Sequence, residues 1–99
     1  MKLKKLIAAS VLMCMLQASV LAKDIKIGVS MAYFDDNFLT ILRQSMQNKM
    51  KADGNVSGQF EDAKGDIAQQ IQQIENFVSQ GVDAIILNPV DTQGVKPMI

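Results

Sequence analysis

Apolar and polar positions alternate from the start of one stretch, Ile25-Lys26-Ile27-Gly28-Val29-Ser30, and Met31 and Ala32 extend it. A period of two predicts a strand over residues 23–32. Phe38, Ile41, Leu42, Ser45, Met46 and Met50 then recur at helical spacing, with Arg43, Gln44, Gln47 and Lys51 between them. Asp36 or Asn37 is placed to cap that helix, and Gly54 suits the left-handed position beyond its last turn. Val56, Gly58 and Phe60 share one face of a second strand over residues 56–61, which Gly58 weakens. Asp62 to Asp66 reads as a loop, with Asp66 placed to cap a second helix. Its apolar stripe is Ile67, Ile71, Ile74, Phe77 and Val78, which leaves Gln69, Gln70, Gln72, Gln73 and Glu75 on a wet face. Gly81 ends it. A third strand covers residues 82–87, and its unbroken apolar run Ala84-Ile85-Ile86-Leu87 predicts cover on both faces. Pro89 has no N–H to give to a ladder, so the strand stops there. Asp91 or Thr92 stands where a third helix would begin, although Pro97 fits only if that helix starts later.

The order β-α-β-α-β implies right-handed crossovers and a parallel, doubly wound sheet. In such a sheet the three polar clusters, Asp35-Asp36-Asn37, Asp62 to Asp66 and Asn88 to Asp91, all follow strands and share one edge. Periodicity does not fix the strand order. In the order 2-1-3 the first and third strands are neighbours, and the crevice between their diverging helices faces both Asp36 and Asp91. Two acids beside a ring suit a polyol: carboxylates accept from hydroxyls, and a ring covers the apolar C–H face of a sugar.

Composition changes this picture in three ways. Lys2, Lys4 and Lys5 precede an apolar run from Leu6 to Leu16, and Val20-Leu21-Ala22 resembles a small-residue cleavage site. Residues 1–22 therefore read as a secretory signal, too short in its apolar part for a membrane anchor. Without them 7 basic residues face 10 acidic ones, a formal charge of −3. That balance argues against nucleic acid or an anionic membrane as partner. The one cysteine, Cys14, lies in the apolar segment, so residues 23–99 have neither a disulfide nor thiolate chemistry. Those residues also make a small core, and the chain stops on Met98-Ile99 without a cap, as the amino-terminal piece of a longer protein would.

Catalytic patterns are missing from the 99 residues. There is no histidine, no nucleophile elbow, and Gly28 stands alone, so neither a dinucleotide fingerprint nor a phosphate loop is present. Asp35 and Asp36 do not supply the six to eight oxygens that calcium takes. Met46 and Met50 read as core, not as metal ligands. The sequence thus points to a non-enzyme that needs no cofactor. Asp36, Asp66 and Asp91 each have a second reading as plain N-caps, Phe38 as core, and Asn88 as a tie for the turn before Pro89.

The pieces Ile27-Gly28-Val29-Ser30, Asp35-Asp36-Asn37-Phe38, Asp62-Ala63-Lys64-Gly65-Asp66, Gly81-Val82-Asp83-Ala84-Ile85 and Asn88-Pro89-Val90-Asp91, in that order, resemble the periplasmic sugar-binding proteins of the ribose/galactose type that feed ABC importers. The resemblance runs from about Ile25 to the end. It implies two similar α/β domains joined by a hinge, with sugar held between them. Matched to that family's motifs, Asp36 corresponds to an acceptor for sugar hydroxyls, Phe38 to an aromatic packed on the sugar ring, and Asp91 to a hydroxyl acceptor after the third strand. Asp66 matches a polar contact found in part of the family. The loop from Ser30 to Asp36 is more like the galactose type, so Ser30 is not carried over as a ligand. Phe60-Glu61-Asp62-Ala63 and Asn88-Pro89-Val90-Asp91 are similar to members that take inositol or the inositol-derived rhizopines.

The expectations are then specific. The fold is α/β, a parallel doubly wound sheet of strand order 2-1-3, forming the amino-terminal part of a type I periplasmic binding protein lobe. Residues 1–22 are a signal peptide and residues 23–99 a partial lobe. The resemblance implies the substrate-binding component of an ABC transporter, located in the periplasm, with a sugar or polyol as ligand and an inner-membrane permease as partner. Alternatives are a periplasmic sensor working with a chemoreceptor or sensor kinase, or a secreted carbohydrate-active enzyme whose catalytic part lies elsewhere. Relatives of this type have two domains, so the 99-residue chain by itself is expected to bind sugar weakly.

Overall fold

The computed structural model describes residues 23–99, and the expected signal peptide lies outside the described residues. Five regular elements follow in order: β1 (Ile25–Met31), α1 (Asn37–Asp53), β2 (Val56–Asp62), α2 (Ile67–Gln80) and β3 (Ala84–Leu87), then a 3-10 turn at Lys96–Met98. The sheet is parallel with order β2-β1-β3, as expected from the resemblance. Ile25 lies beside Val56 and Met31 beside Asp62, while Ile27 lies beside Ala84 and Ser30 beside Leu87.

Alternation along β1 divides the core into two layers. Val29 and Met31 point to one face and are buried with Met50 of α1, and Ile27, Phe34, Leu39, Met46, Val56 and Phe60 pack around them. Gly28 and Ser30 point the other way, toward α2. The two helices therefore cover opposite faces of β1, which is what winding a parallel sheet both ways requires.

Both helices begin and end as their sequences demand. Asp36 caps α1 by accepting from the Leu39 N–H at 3.0 Å, and Asp66 caps α2 by accepting from the Gln69 N–H at 3.2 Å. Gly81 takes a left-handed φ of 70° beyond α2, a conformation that costs a glycine nothing.

Several expectations need correction. The stripe of α1 is rotated: Leu39, Met46 and Met50 face the core, while Phe38 and Ile41 are exposed. On α2, Val78 is exposed and Gln70 and Gln73 are buried, contrary to expectation, while Gln69, Gln72 and Glu75 are exposed as expected. β3 is shorter than residues 82–87, and Ile85 and Ile86 remain 36% and 39% exposed among the described residues instead of covered on both faces. No third α-helix follows Asp91. The chain turns there and forms only the 3-10 turn, which Pro97 enters near its start, where no N–H is needed.

Candidate functional site

All three strands run the same way, so the loops after β1, β2 and β3 meet at one edge of the sheet. Backbone bonds bring them together. Ala63 donates to the Met31 carbonyl at 2.8 Å, Gly65 to the Ala32 carbonyl at 2.9 Å, and Asn88 to the Ser30 carbonyl at 2.9 Å. The Asn88 side chain adds a further tie, its Oδ1 accepting from the Ala32 N–H at 3.0 Å. Asn88 thus holds the turn, as one of its two readings proposed.

Beneath this edge lies a closed side-chain network. The Ser30 hydroxyl donates to Gln73 Oε1 at 2.8 Å and accepts from Gln70 Nε2 at 3.1 Å. Gln70 Nε2 also donates to the Asn88 carbonyl at 2.9 Å, and Gln70 Oε1 accepts from the Val90 N–H at 2.9 Å. Gln73 Nε2 donates to the Asp62 carbonyl at 2.9 Å. Ser30, Gln70 and Gln73 are buried, so each of these groups would be costly unpaired, and each is paired. Two amides one helical turn apart therefore connect the ends of all three strands.

These residues were not recognised from the sequence as part of the site's frame. For Gln70 a usable signal was present: positions 67, 70, 74 and 77 are three, four and three apart, the spacing of one helix face. Residue type misled, because glutamine is mostly found exposed.

The four candidate ligand residues all lie along this edge. Asp36 is exposed at the start of α1, with Oδ1 engaged by Leu39. Phe38, two residues on, is 71% exposed among the described residues and lies outside the core that they form. Asp66 is exposed at the start of α2, with Oδ1 engaged by Gln69. Asp91 is exposed after β3, and its Oδ1 accepts from the Gln93 N–H at 2.8 Å. Each carboxylate thus serves the backbone with one oxygen, while Oδ2 has no protein partner among the described residues. The strand order puts the β1 and β3 loops side by side, with the Asp66 loop on the far side of β1. No hydrogen bond joins the three carboxylates among the described residues.

Tyr33 leans across the Asp62–Asp66 loop: its ring occupies the space that a Cβ on Gly65 would need. Phe34 turns inward, with the Arg43 guanidinium 4.0 Å from its ring centroid. A polar cleft of about 230 Å³ between α2 and β2, lined by Gln59, Glu61 and Gln72 among others, contains none of the four candidate residues. The described residues hold no group of three or more acids, histidines or cysteines arranged for a metal.

Residues 27–99 match a family model for a periplasmic binding protein domain. A Rhizobium meliloti protein named for rhizopine binding is 51% identical over 72 residues, covering 73% of this chain and 23% of that protein. An ABC transporter solute-binding protein of Bacillus halodurans, solved with bound myo-inositol, superposes with a TM-score of 0.69 at 40% identity, covering 77% of this chain and 26% of that one. One from Mycobacterium smegmatis, solved with bound glycerol, superposes with a TM-score of 0.70 at 31% identity, covering 76% and 26%. The chain spans about a quarter of the length of these relatives.

Proposed function

Because the chain belongs to the periplasmic binding protein domain family, we propose that it forms part of the sugar- or polyol-binding lobe of an ABC importer's periplasmic receptor. Its ligand is a cyclic polyol of the inositol or rhizopine type. Residues 1–22 act as the export signal, and the partner is the importer's permease in the inner membrane. Likeness to a protein named for rhizopine binding and to one holding myo-inositol supports this choice of ligand.

The observation that carries the reading is the exposure of Phe38 next to the capping carboxylate of Asp36, at the ligand edge of a parallel sheet. An aromatic ring that contributes almost nothing to the core is free to cover the C–H face of a ring polyol. Asp36 and Asp91 approach from neighbouring loops and accept from hydroxyls through the oxygens the backbone leaves free. Because Oδ1 of each is already fixed by a backbone N–H, the carboxylates are oriented before the ligand arrives, which lowers the ordering cost of binding. The remainder of the site comes from the part of the protein beyond this chain, by closure of two domains around the ligand. Asp66 contributes from the farther loop.

The test is a thermal-shift and calorimetric screen of the full-length protein against myo-inositol, scyllo-inositol, galactose and ribose. Binding to the native state raises the melting temperature, and the stabilisation grows with the logarithm of ligand concentration over Kd. The inositols should stabilise most. A protein indifferent to all four compounds would end this reading.

A further inference from the structure

The loop that carries Asp91 is tied to β1 at Asn88, whose N–H donates to the Ser30 carbonyl and whose Oδ1 accepts from the Ala32 N–H. Beyond Asn88 a side chain of α2 links it to the rest of the fold. Pro89 has no N–H, and the ladder between β1 and β3 ends just before it, at the bond from Asn88 N–H to the Ser30 carbonyl. The next backbone donor, Val90 N–H, is held by Gln70 Oε1 at 2.9 Å, while Gln70 Nε2 holds the Asn88 carbonyl at 2.9 Å. Gln70 thus grips the loop on both sides of Pro89, at Asn88 and at Val90, the residue immediately before Asp91.

The side chain suits this task in a way its neighbours in chemistry do not. The three groups around it are one donor, Val90 N–H, one acceptor, the Asn88 carbonyl, and the Ser30 oxygen, which accepts from Gln70 because its own proton goes to Gln73. A primary amide offers one acceptor and two donors. Glutamate lacks the donors, methionine lacks the bonds altogether, and asparagine is one methylene short. Gln70 is also 0% exposed, so it makes these bonds without competition from water and has no access to a ligand itself.

We propose that Gln70 is a positioning residue for ligand binding, fixing the loop after β3 so that the Asp91 carboxylate is presented toward the ligand edge. This rests on the sugar-binding reading above. Losing Gln70 also costs stability, as for any member of this buried network, but its effect on affinity passes through Val90 and Asp91, which separates it from Gln73. Gln73 ties β1 to the end of β2 and makes no hydrogen bond to the Asp91 loop among the described residues.

The test uses the full-length protein with myo-inositol as probe. In the unmodified protein, the Val90 amide should be protected from hydrogen exchange; exchange at the rate of a free loop overturns the proposal without any variant. Gln70→Met should weaken myo-inositol binding about tenfold or more and speed exchange at Val90 by a similar factor. In an Asp91→Ala background the same substitution should change affinity less than about twofold, since residues acting in one chain are non-additive. Equal losses in both backgrounds, or unchanged affinity in Gln70→Met, overturn the proposal while leaving the sugar reading intact. Failure of the unmodified protein to bind the inositols, galactose or ribose removes the sugar reading, and the positioning role with it.

Discussion

The ring of Phe77 lies directly against the backbone of Gly28. A Cβ built on Gly28 would come 2.5 Å from Cγ of that ring, and Phe77 is itself fully buried. The missing side chain in the middle of β1 is thus the seat of the largest core residue of α2. Gly28→Ala should destabilise the protein by about 1–3 kcal/mol through overpacking, read as a lower urea midpoint with an unchanged slope. Adding Phe77→Leu to Gly28→Ala should recover part of the loss, since the smaller residue vacates the contested space. A double variant as unstable as the sum of the two single variants would place the strain elsewhere.

Phe38 is expected to separate binding from stability. With 71% of its surface exposed, Phe38→Ala should move the unfolding free energy by no more than about 0.5 kcal/mol, the usual range for surface sites. Polyol affinity should fall roughly tenfold, equivalent to about 1.4 kcal/mol of ring contact. Calorimetry on the full-length protein gives both values. A large stability loss with intact affinity would return Phe38 to a structural role.

Asp36 has two tasks, and two substitutions distinguish them. Asp36→Asn keeps the cap on Leu39, because asparagine caps as well as aspartate, while it removes the charge and turns the second acceptor oxygen into an amide donor. Asp36→Ala removes cap and charge together and should cost about 1 kcal/mol of stability by chemical denaturation. Both variants should bind polyol more weakly, since hydrogen bonds to a charged acceptor are the stronger kind. If Asp36→Asn binds as well as the unmodified protein, Asp36 is a cap alone.

The element order, the parallel sheet and the helix caps were legible because they depend on local signals: alternation in β1, helical spacing in α1 and α2, and aspartate–glycine punctuation at their ends. The order β2-β1-β3 came through the resemblance, since nothing in a strand's own pattern names its neighbour. What was misread involved side chains whose surroundings run against their type. Gln70 and Gln73 are buried because partners up to 43 positions away satisfy them, and no local window contains those partners. Ile41 and Val78 are apolar but exposed among the described residues. Gly28 looked like an isolated residue because the ring that requires it lies in another element.

Ser30 gives the sharpest test of the buried network. Ser30→Ala removes the donor to Gln73 Oε1 and an acceptor for Gln70 Nε2, yet leaves no added bulk. Leaving a buried amide oxygen unmatched should cost about 1–3 kcal/mol, measured by urea unfolding of the full-length protein. A change near zero would mean that water enters and replaces the hydroxyl.

The parallel direction of the strands also bears on how the protein can be tethered. β1 enters the sheet at Ile25 and leaves it at Met31. At about 3.3 Å per residue, roughly 20 Å of strand separates its two ends. The Lys23 end therefore emerges on the side of the sheet opposite Asp36, Phe38 and Asp91. A surface linker or a fluorescent reporter joined there stands a full strand length from the polyol edge and leaves it open to solution.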